Sequence, residues 1–156
     1  NFTNLSFIYG DVIDYENKDE IDMVISLHAC NTATDIAIIK ALGWKAKVFF
    51  AVPCCQKEVN SQLNDEFLPF MLKHGIVKEK FSTLLTDSVR SEVLEAFGYK
   101  SDIVEFISAE NTPKNQLIRA YRTTNNVDKD KITNLEKFTT SLNVEMFLLD
   151  EVKKLI

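Results

Sequence analysis

The sequence predicts an α/β fold in which parallel strands are followed by an antiparallel hairpin. Apolar, β-prone runs at Asp22–Leu27 and Ala46–Val52 enclose a helical pattern at Ala33–Leu42. A strand–helix–strand unit of about 30 residues normally makes its two strands parallel neighbours. Further along, the spacing of apolar residues changes from that of a helix to that of strands, at Asp102–Ile107 and Gln116–Arg122. These two strands predict an antiparallel hairpin at the end of the sheet.

The remaining elements follow in chain order. Leu5–Tyr9 is a short β-prone run that predicts a strand before Gly10 and Asp11. Thr32 and Asp35 have the spacing of a capping box at the start of the first helix. Two short helices are predicted at Gln56–Gln62 and Glu66–Lys73, and one longer helix or two at Lys78–Phe97, which has an apolar side at helical spacing; the tail is predicted to be helical at Asp128–Leu142 and Met146–Ile156. In the longest of them, Asp87 and Arg90 have the i,i+3 spacing of an intrahelical ion pair.

Composition bounds the class of protein. The 156 residues suit one domain, and 46% hydrophobic with 26% charged residues is ordinary for a globular chain. The net charge of −5 argues against a protein that coats nucleic acid by charge alone. No apolar run approaches the roughly 18–20 residues of a membrane span, so no membrane partner is expected. Three cysteines, two of them adjacent, do not form a disulfide framework and favour a reducing, cytoplasmic setting.

Polar segments follow the predicted parallel strands. His28 and Cys30 leave the end of one strand, and Cys54 and Cys55 leave the end of its neighbour. In an open α/β sheet, ligands bind outside the carboxyl ends of the parallel strands. We therefore expect these segments to meet at one rim, together with Gly10–Asp11 and the turn Thr112–Asn115.

The cysteines permit a second interpretation, a Cys/His metal or thiol-redox site. The spacings H-x-C and C-C match no standard zinc pattern, and adjacent cysteines rarely hold one ion together well. No metal ligand is therefore predicted, and small half-buried thiols at a ligand-binding loop explain the pattern equally.

Four stretches together resemble the C-terminal part of a class I S-adenosylmethionine-dependent methyltransferase. They are "DMVISLHACNTATDIAI", "KVFFAVPCCQKE", "LLTDSVRSEVLEAFGYK" and "VEFISAENTPKNQLIRA". The LHAC…ATD and PCCQ signatures are similar to those of one group of such enzymes, related distantly to tRNA 2′-O-methyltransferases. The resemblance covers about Phe7 to Arg122 and implies a Rossmann-like methyltransferase sheet that ends in an antiparallel strand.

The resemblance also implies roles for individual residues. It places Asp11 and Val12 at the adenine end of the cofactor and Leu27 and His28 at its methionine end. It makes His28 and Asp35 candidates for catalysis. Further residues would face the substrate, namely Cys30, Thr32, Cys54, Cys55, Lys114 and Asn115. RNA is the first acceptor suggested, because of the distant relatives.

One departure from the family is large. Its glycine-rich loop and its ribose-binding acidic residue would lie before Asn1, and the sequence has no G-x-G. In the family's strand order, the first two strands lie between the third and the fourth. Residues 1–156 therefore predict a single partial methyltransferase domain with a C-terminal helical extension at 128–156. A preceding segment or a second chain would complete the sheet, and this chain alone would be inactive.

Two functions from different classes remain open beside the thiol site. The leading one is methyl transfer from S-adenosylmethionine to an acceptor that the sequence does not identify. The alternative is a non-catalytic, methyltransferase-like domain that binds a partner protein.

Overall fold

The computed structural model describes residues 3–17, 19–64, 66, 68–108, 110–112 and 114–156. The strands in this part of the chain are β1 (Met23–Leu27), β2 (Val48–Val52), β3 (Tyr99–Glu105) and β4 (Gln116–Arg122). The helices are α1 (Thr32–Gly43), α2 (Lys57–Gln62), α3 (Pro69–Leu72), α4 (Gly75–Ala96), α5 (Lys129–Ser141) and α6 (Phe147–Val152), followed by a 3-10 turn at Lys153–Leu155.

The strands form one mixed sheet in the order β1-β2-β4-β3. β1 and β2 are parallel, in register from Met23 opposite Val48 to Leu27 opposite Val52. β4 is antiparallel to both β2 and β3. The predicted parallel pair and the predicted hairpin are thus confirmed. β4 lies between β2 and β3 and runs opposite to the other three strands.

The strand predicted at Leu5–Tyr9 is wrong: these residues have no regular secondary structure and pair with no strand of the described chain. Phe7 is 92% exposed and Tyr9 is fully exposed. A strand needs a neighbour for its backbone groups, and β-propensity alone does not supply one. Part of the predicted Thr112–Asn115 turn, Pro113, lies outside the described residues.

The two faces of the sheet differ sharply. Phe49, Ala51, Ile118 and Ala120 share one face and are completely buried beneath the helices. On the opposite face, three apolar side chains of β1 are exposed, namely Met23, Ile25 and Leu27 at 46, 57 and 65%. One face of β1 is therefore uncovered by the described residues. The apolar composition of β1 is that of a two-sided strand, but only one side has a covering layer.

The C-terminal helices belong to the same core as the sheet. α6 packs on α1 and α5 packs on α4, and Ile132, Leu148 and Val152 are buried. The side chain of Gln62 accepts from the backbone N–H of Glu145 at 2.8 Å and donates to its carbonyl at 2.7 Å. This two-way contact fixes α2, and with it the loop before α2, against the C-terminal segment. In the part of the chain that the structure describes, no helix combines the length and the apolar character that a membrane span needs.

Gly98 connects α4 to β3 at a point where only glycine fits. Its φ is +86°, and a Cβ built there would lie 2.4 Å from the carbonyl oxygen of Thr124. The Gly98 carbonyl also accepts from the N–H groups of Thr123 and Thr124, which keeps the two backbones close.

We expect Gly98→Ala to lower the free energy of unfolding by about 2 kcal/mol or more, since left-handed strain and a backbone clash add together. Urea denaturation measures this change. Gly75→Ala is the matched control, because nothing lies within 4 Å of its added methyl group and Gly75 is helical. That control should be neutral or stabilising by up to about 1 kcal/mol, and equal losses in both variants would contradict the argument.

Candidate functional site

Three sulfur atoms meet where β1 and β2 end. The Sγ atom of Cys30 lies 3.0 Å from that of Cys54 and 3.4 Å from that of Cys55. The Sγ atoms of Cys54 and Cys55 are 3.6 Å apart. The predicted convergence of the two loops is confirmed, because parallel neighbours deliver their carboxyl-end loops to the same edge.

The loop after β1 is held in an uncommon backbone conformation. His28 and Asn31 both have φ of +54°, a left-handed value that a few per cent of non-glycine residues adopt. The N–H of His28 donates to the Val52 carbonyl at 3.0 Å, so the first residue of the loop is tied to the end of β2. Such strain persists only where the surroundings enforce it, and it is concentrated at functional sites.

The thiols of the cluster differ in acidity. Hydrogen bonds from Cys54 and Cys55 lower the pKa of Cys30, and nearby Lys57 acts in the same direction. The shared hydrogen bond with Cys30, together with burial, raises the pKa of Cys54 to about 12. A thiolate on the exposed Cys30, hydrogen-bonded by its two neighbours, is therefore the favoured ionised form of the cluster.

A buried ionic network lies beneath this rim. The Nε atom of Arg90 donates to Asp35 at 2.7 Å, and its Nη1 atom donates to Asp87 at 2.9 Å. All three residues are about 1% exposed. The predicted pair between Asp87 and Arg90 is confirmed, but its extension to Asp35 was not predicted.

Arg90 also fixes the strained loop itself. Its Nη2 atom donates to the Asn31 carbonyl at 3.0 Å. Burial on its own would lower the pKa of Arg90, but the two carboxylates outweigh burial and raise it. The arginine therefore remains charged and holds the backbone that leads into α1.

The predicted capping box is wrong. α1 has Asn31 at its N-cap with no side-chain cap bond, and the Asp35 carboxylate is occupied by Arg90. The Thr34 hydroxyl donates instead to the Ala29 carbonyl at 2.6 Å, and Thr32 is half-buried at the first turn. The Oδ2 atom of Asp35 is buried and has no hydrogen-bond partner among the described residues. The catalytic role suggested for Asp35 stays a prediction, and the position that the structure gives it is one of support.

A second set of contacts joins the loop after β1 to α2 and the loop after β2 to α4. The Asn31 side chain accepts from the Glu58 N–H at 3.0 Å. The buried Gln56 amide donates to Asp87 at 3.4 Å and accepts from the Thr83 hydroxyl at 3.1 Å. Sequence reasoning missed these residues, because the partners are 27 and 31 positions apart.

A cavity of about 330 Å³ opens beside the cysteines. Its walls include Cys54, Cys55 and Lys114, and α4 contributes Ser82 and Thr83. Lys114 is half-buried and forms an ion pair with Glu79 at 3.2 Å. Three of the residues predicted to face a substrate thus share one cavity.

Asn115, also predicted to face substrate, is 5% exposed and closes the hairpin. Its side chain donates to the Ile107 carbonyl at 2.9 Å, and its own carbonyl accepts from the Phe106 N–H at 3.1 Å. These bonds explain the asparagine by turn chemistry, so its substrate role stays a prediction.

The residues predicted to contact the cofactor are divided between two places. Asp11 and Val12 line a separate cavity of about 450 Å³ with Tyr15. The Tyr15 ring packs edge-on against Trp44, which follows the carboxyl end of α1. His28 precedes the opposite end of that helix, which is about 18 Å long. The described residues therefore do not bring Asp11 and Val12 into one cavity with Leu27 and His28.

Glu58 gives the site region a testable pH dependence. Burial raises the pKa of this carboxylate above its ordinary value of 4.5, although it accepts from the Phe147 N–H at 2.8 Å. The folded state therefore holds the proton more tightly than the unfolded state, and this contribution to stability is lost as pH rises through the folded pKa.

We expect the wild-type free energy of unfolding, relative to that of Glu58→Gln, to be greatest below pH 4.5 and to fall as pH rises from there through the raised folded pKa. Urea denaturation at several pH values measures the difference between the two proteins. Glu145→Gln, an exposed glutamate of the segment that packs on α2, is the control and should parallel wild type. A difference for Glu58→Gln that increases with pH would contradict the assignment.

Comparison with known proteins gives one match. Residues 1–62 match a family model described as a methyltransferase domain. No curated protein and no solved structure was found to match the chain. The matched segment contains β1, α1, β2 and α2, and therefore both cysteine-bearing loops. It supports a methyltransferase family for this chain.

Proposed function

We propose that this chain is the C-terminal part of a class I methyltransferase that uses S-adenosylmethionine as methyl donor. The observation that carries the proposal is the family match over residues 1–62. The mixed sheet with its antiparallel hairpin is consistent with the Rossmann-like fold of such enzymes. Methyltransferase activity also accounts for polar loops at the carboxyl ends of two parallel strands.

The described residues fit the cofactor only in part. Asp11 offers a carboxylate in a cavity with apolar and aromatic walls, which suits an adenine ring. The exposed Leu27 and His28 lie elsewhere, at the rim. Because no described cavity holds both sets, the chain alone is expected to bind the cofactor poorly.

The exposed apolar face of the sheet is evidence for a further layer that covers it. Met23, Ile25 and Leu27 form an exposed apolar row on β1, and the outer edge of β1 pairs with no described strand. Exposed apolar patches of this kind normally mark a surface that another element covers. We propose that further strands and helices, from the same protein or a second chain, pack here and complete the cofactor site.

On the acceptor side, the chain supplies a base and a cavity. His28 is exposed at the rim and can accept a proton or orient an acceptor through a ring nitrogen. The cavity beside Cys54 and Cys55 has two lysines, Lys57 and Lys114, and one carboxylate, Glu79, in its wall, and this balance would favour an anionic acceptor. RNA, with its phosphates, is the first acceptor class to test.

Calorimetric titration with S-adenosylhomocysteine tests the proposal. The 156-residue chain and the full-length gene product are titrated in parallel, and the full-length product is then assayed for transfer of a radiolabelled methyl group to RNA. Saturable binding to the full-length product, much weaker in the chain alone, is the expected result. No binding in either would overturn the proposal in favour of the non-catalytic partner-binding domain, which the separation of Asp11 from His28 would then explain.

A further inference from the structure

The three cysteines at the rim have their Sγ atoms at similar distances from one another, rather than two close together and one apart. Each Sγ atom lies within 3.6 Å of both others. They are all the cysteines that the chain has. The cluster is also accessible, since Cys30 is exposed and the other two are half-buried at the wall of the 330 Å³ cavity.

We propose that Cys30, Cys54 and Cys55 form a three-thiolate site for a thiophilic cation of the Zn²⁺ class, with the fourth coordination position open to solvent or to a substrate atom. Thiolate sulfur is the ligand that such cations prefer. Three protein ligands with one open position are typical of exchangeable or catalytic zinc, whereas structural zinc has four.

The distances suit a metal ion better than a disulfide. A tetrahedral site with Zn–S bonds of about 2.3 Å needs sulfur atoms about 3.8 Å apart, so each pair has to open by less than about 1 Å. A disulfide would bring two sulfur atoms to about 2.05 Å and leave the third without a role. The near-equal spacing of all three sulfur atoms is what a single central ion requires.

The adjacency of Cys54 and Cys55, which argued against a metal in the sequence, is resolved by the fold. Neighbouring side chains point to opposite sides only within a strand, and β2 ends at Val52. Cys54 and Cys55 lie beyond the strand, and the Sγ atoms of both lie within 3.4 Å of that of Cys30. The third ligand comes from a loop 24 positions away, so spacing within a single segment could not show the site.

The surroundings stabilise a bound anionic cluster. Lys57 lies close enough to Cys30 to interact with its thiolate electrostatically. Binding forms Zn–S bonds and breaks S–H bonds, with no change of oxidation state, and the displaced protons pass to the buffer. The site is independent of the cofactor, so it would persist whether or not the methyltransferase proposal holds.

Titration of the reduced 156-residue chain with Zn²⁺ tests the site. We expect one equivalent to bind, with all three thiols then protected from alkylation until a chelator is added. Co²⁺ in place of Zn²⁺ should give the intense sulfur-to-metal absorption of thiolate ligands. X-ray absorption of the zinc form should show sulfur at about 2.3 Å.

Single serine variants identify the ligands. Cys30→Ser, Cys54→Ser and Cys55→Ser should each lower the Zn²⁺ affinity at least about 100-fold, more than the loss of a supporting residue usually costs. His74→Ala, which removes a histidine that is not one of the three proposed ligands, is the control and should bind like wild type. Circular dichroism checks that each variant is folded. The Co²⁺ spectrum of the wild-type chain tests the site even if a variant fails to fold.

Three results would overturn the proposal. One is the absence of stoichiometric binding with freely alkylated thiols. Another is binding that survives every serine variant, which would show an adventitious site. The third is a mass lower by two hydrogens in protein isolated without oxidant, with a Cys30–Cys54 disulfide found by peptide mapping.

Discussion

Arg90→Met is expected to lower the free energy of unfolding by about 3–5 kcal/mol, the usual cost of removing one partner from a buried ionic network. The guanidinium is about 1% exposed and satisfies two carboxylates and one backbone carbonyl. Methionine fills similar space, so the loss measures the charge and its hydrogen bonds rather than a cavity. Urea denaturation followed by circular dichroism gives the value.

Exposure, not ion-pair distance, should decide the size of this effect. Lys47 and Asp22 form an ion pair of the same 2.7 Å length, but their side chains are 64 and 82% exposed. Lys47→Met should therefore cost about 0–1 kcal/mol. Comparable losses in the two variants would show that Arg90 does not act through burial of its partners.

The charge left behind in Arg90→Met can be relieved in two ways. Burial already raises the pKa of Asp87 in the native protein, and removing the arginine takes away the main opposing influence. The folded variant then binds a proton more readily than its unfolded chain, so its deficit relative to wild type should shrink as pH falls through that raised pKa. Adding Asp35→Asn and Asp87→Asn should recover part of the loss at neutral pH.

Loss of Arg90 should also disorder the rim before the whole molecule unfolds. The arginine holds the Asn31 carbonyl, and Asn31 in turn accepts from Glu58 at the start of α2. Amide hydrogen exchange should therefore rise in the loop after β1 and in α2, with little change in the hairpin of β3 and β4.

The elements that local pattern could predict are those whose partners are close in sequence. The β1–α1–β2 unit and the hairpin were predicted because short connections leave few alternatives for pairing. The segment Leu5–Tyr9 is also β-prone, but it has no neighbour among the described strands and does not form a strand. Strand formation there depends on groups that the segment itself does not contain.

The candidate site could likewise be predicted only where it depends on elements that are close in sequence. The topology rule placed Cys30 beside Cys54, because it requires only that two strands be parallel neighbours. It could not reveal that Arg90, 55 positions after Asp35, would take up that carboxylate. Thr32 and Asp35 have the local spacing of a capping box. The Asp35 carboxylate instead binds the buried guanidinium, because a hydrogen bond between two charged groups is stronger than one from a backbone N–H.

His28→Asn is expected to lower kcat for methyl transfer by the full-length protein about 100-fold or more, if the imidazole accepts a proton from the acceptor in the rate-limiting step. Asparagine is the appropriate replacement, because residue 28 has φ of +54° and asparagine tolerates left-handed backbone better than alanine does. The variant is therefore expected to keep the backbone of the loop and to remove only the imidazole.

The chain offers a matched control for this variant. It has two histidines, and His74 lies at the N-cap of α4, outside the loops that follow β1 and β2. His74→Asn should leave kcat unchanged. The acidic limb of the pH profile separates a base from a positioning residue: it should disappear in His28→Asn if the imidazole takes the proton, and a uniform loss at every pH would assign it to orientation alone. An unchanged rate would exclude His28 from the reaction, because the only route by which it acts in this proposal is direct contact with the acceptor at the carboxyl end of β1.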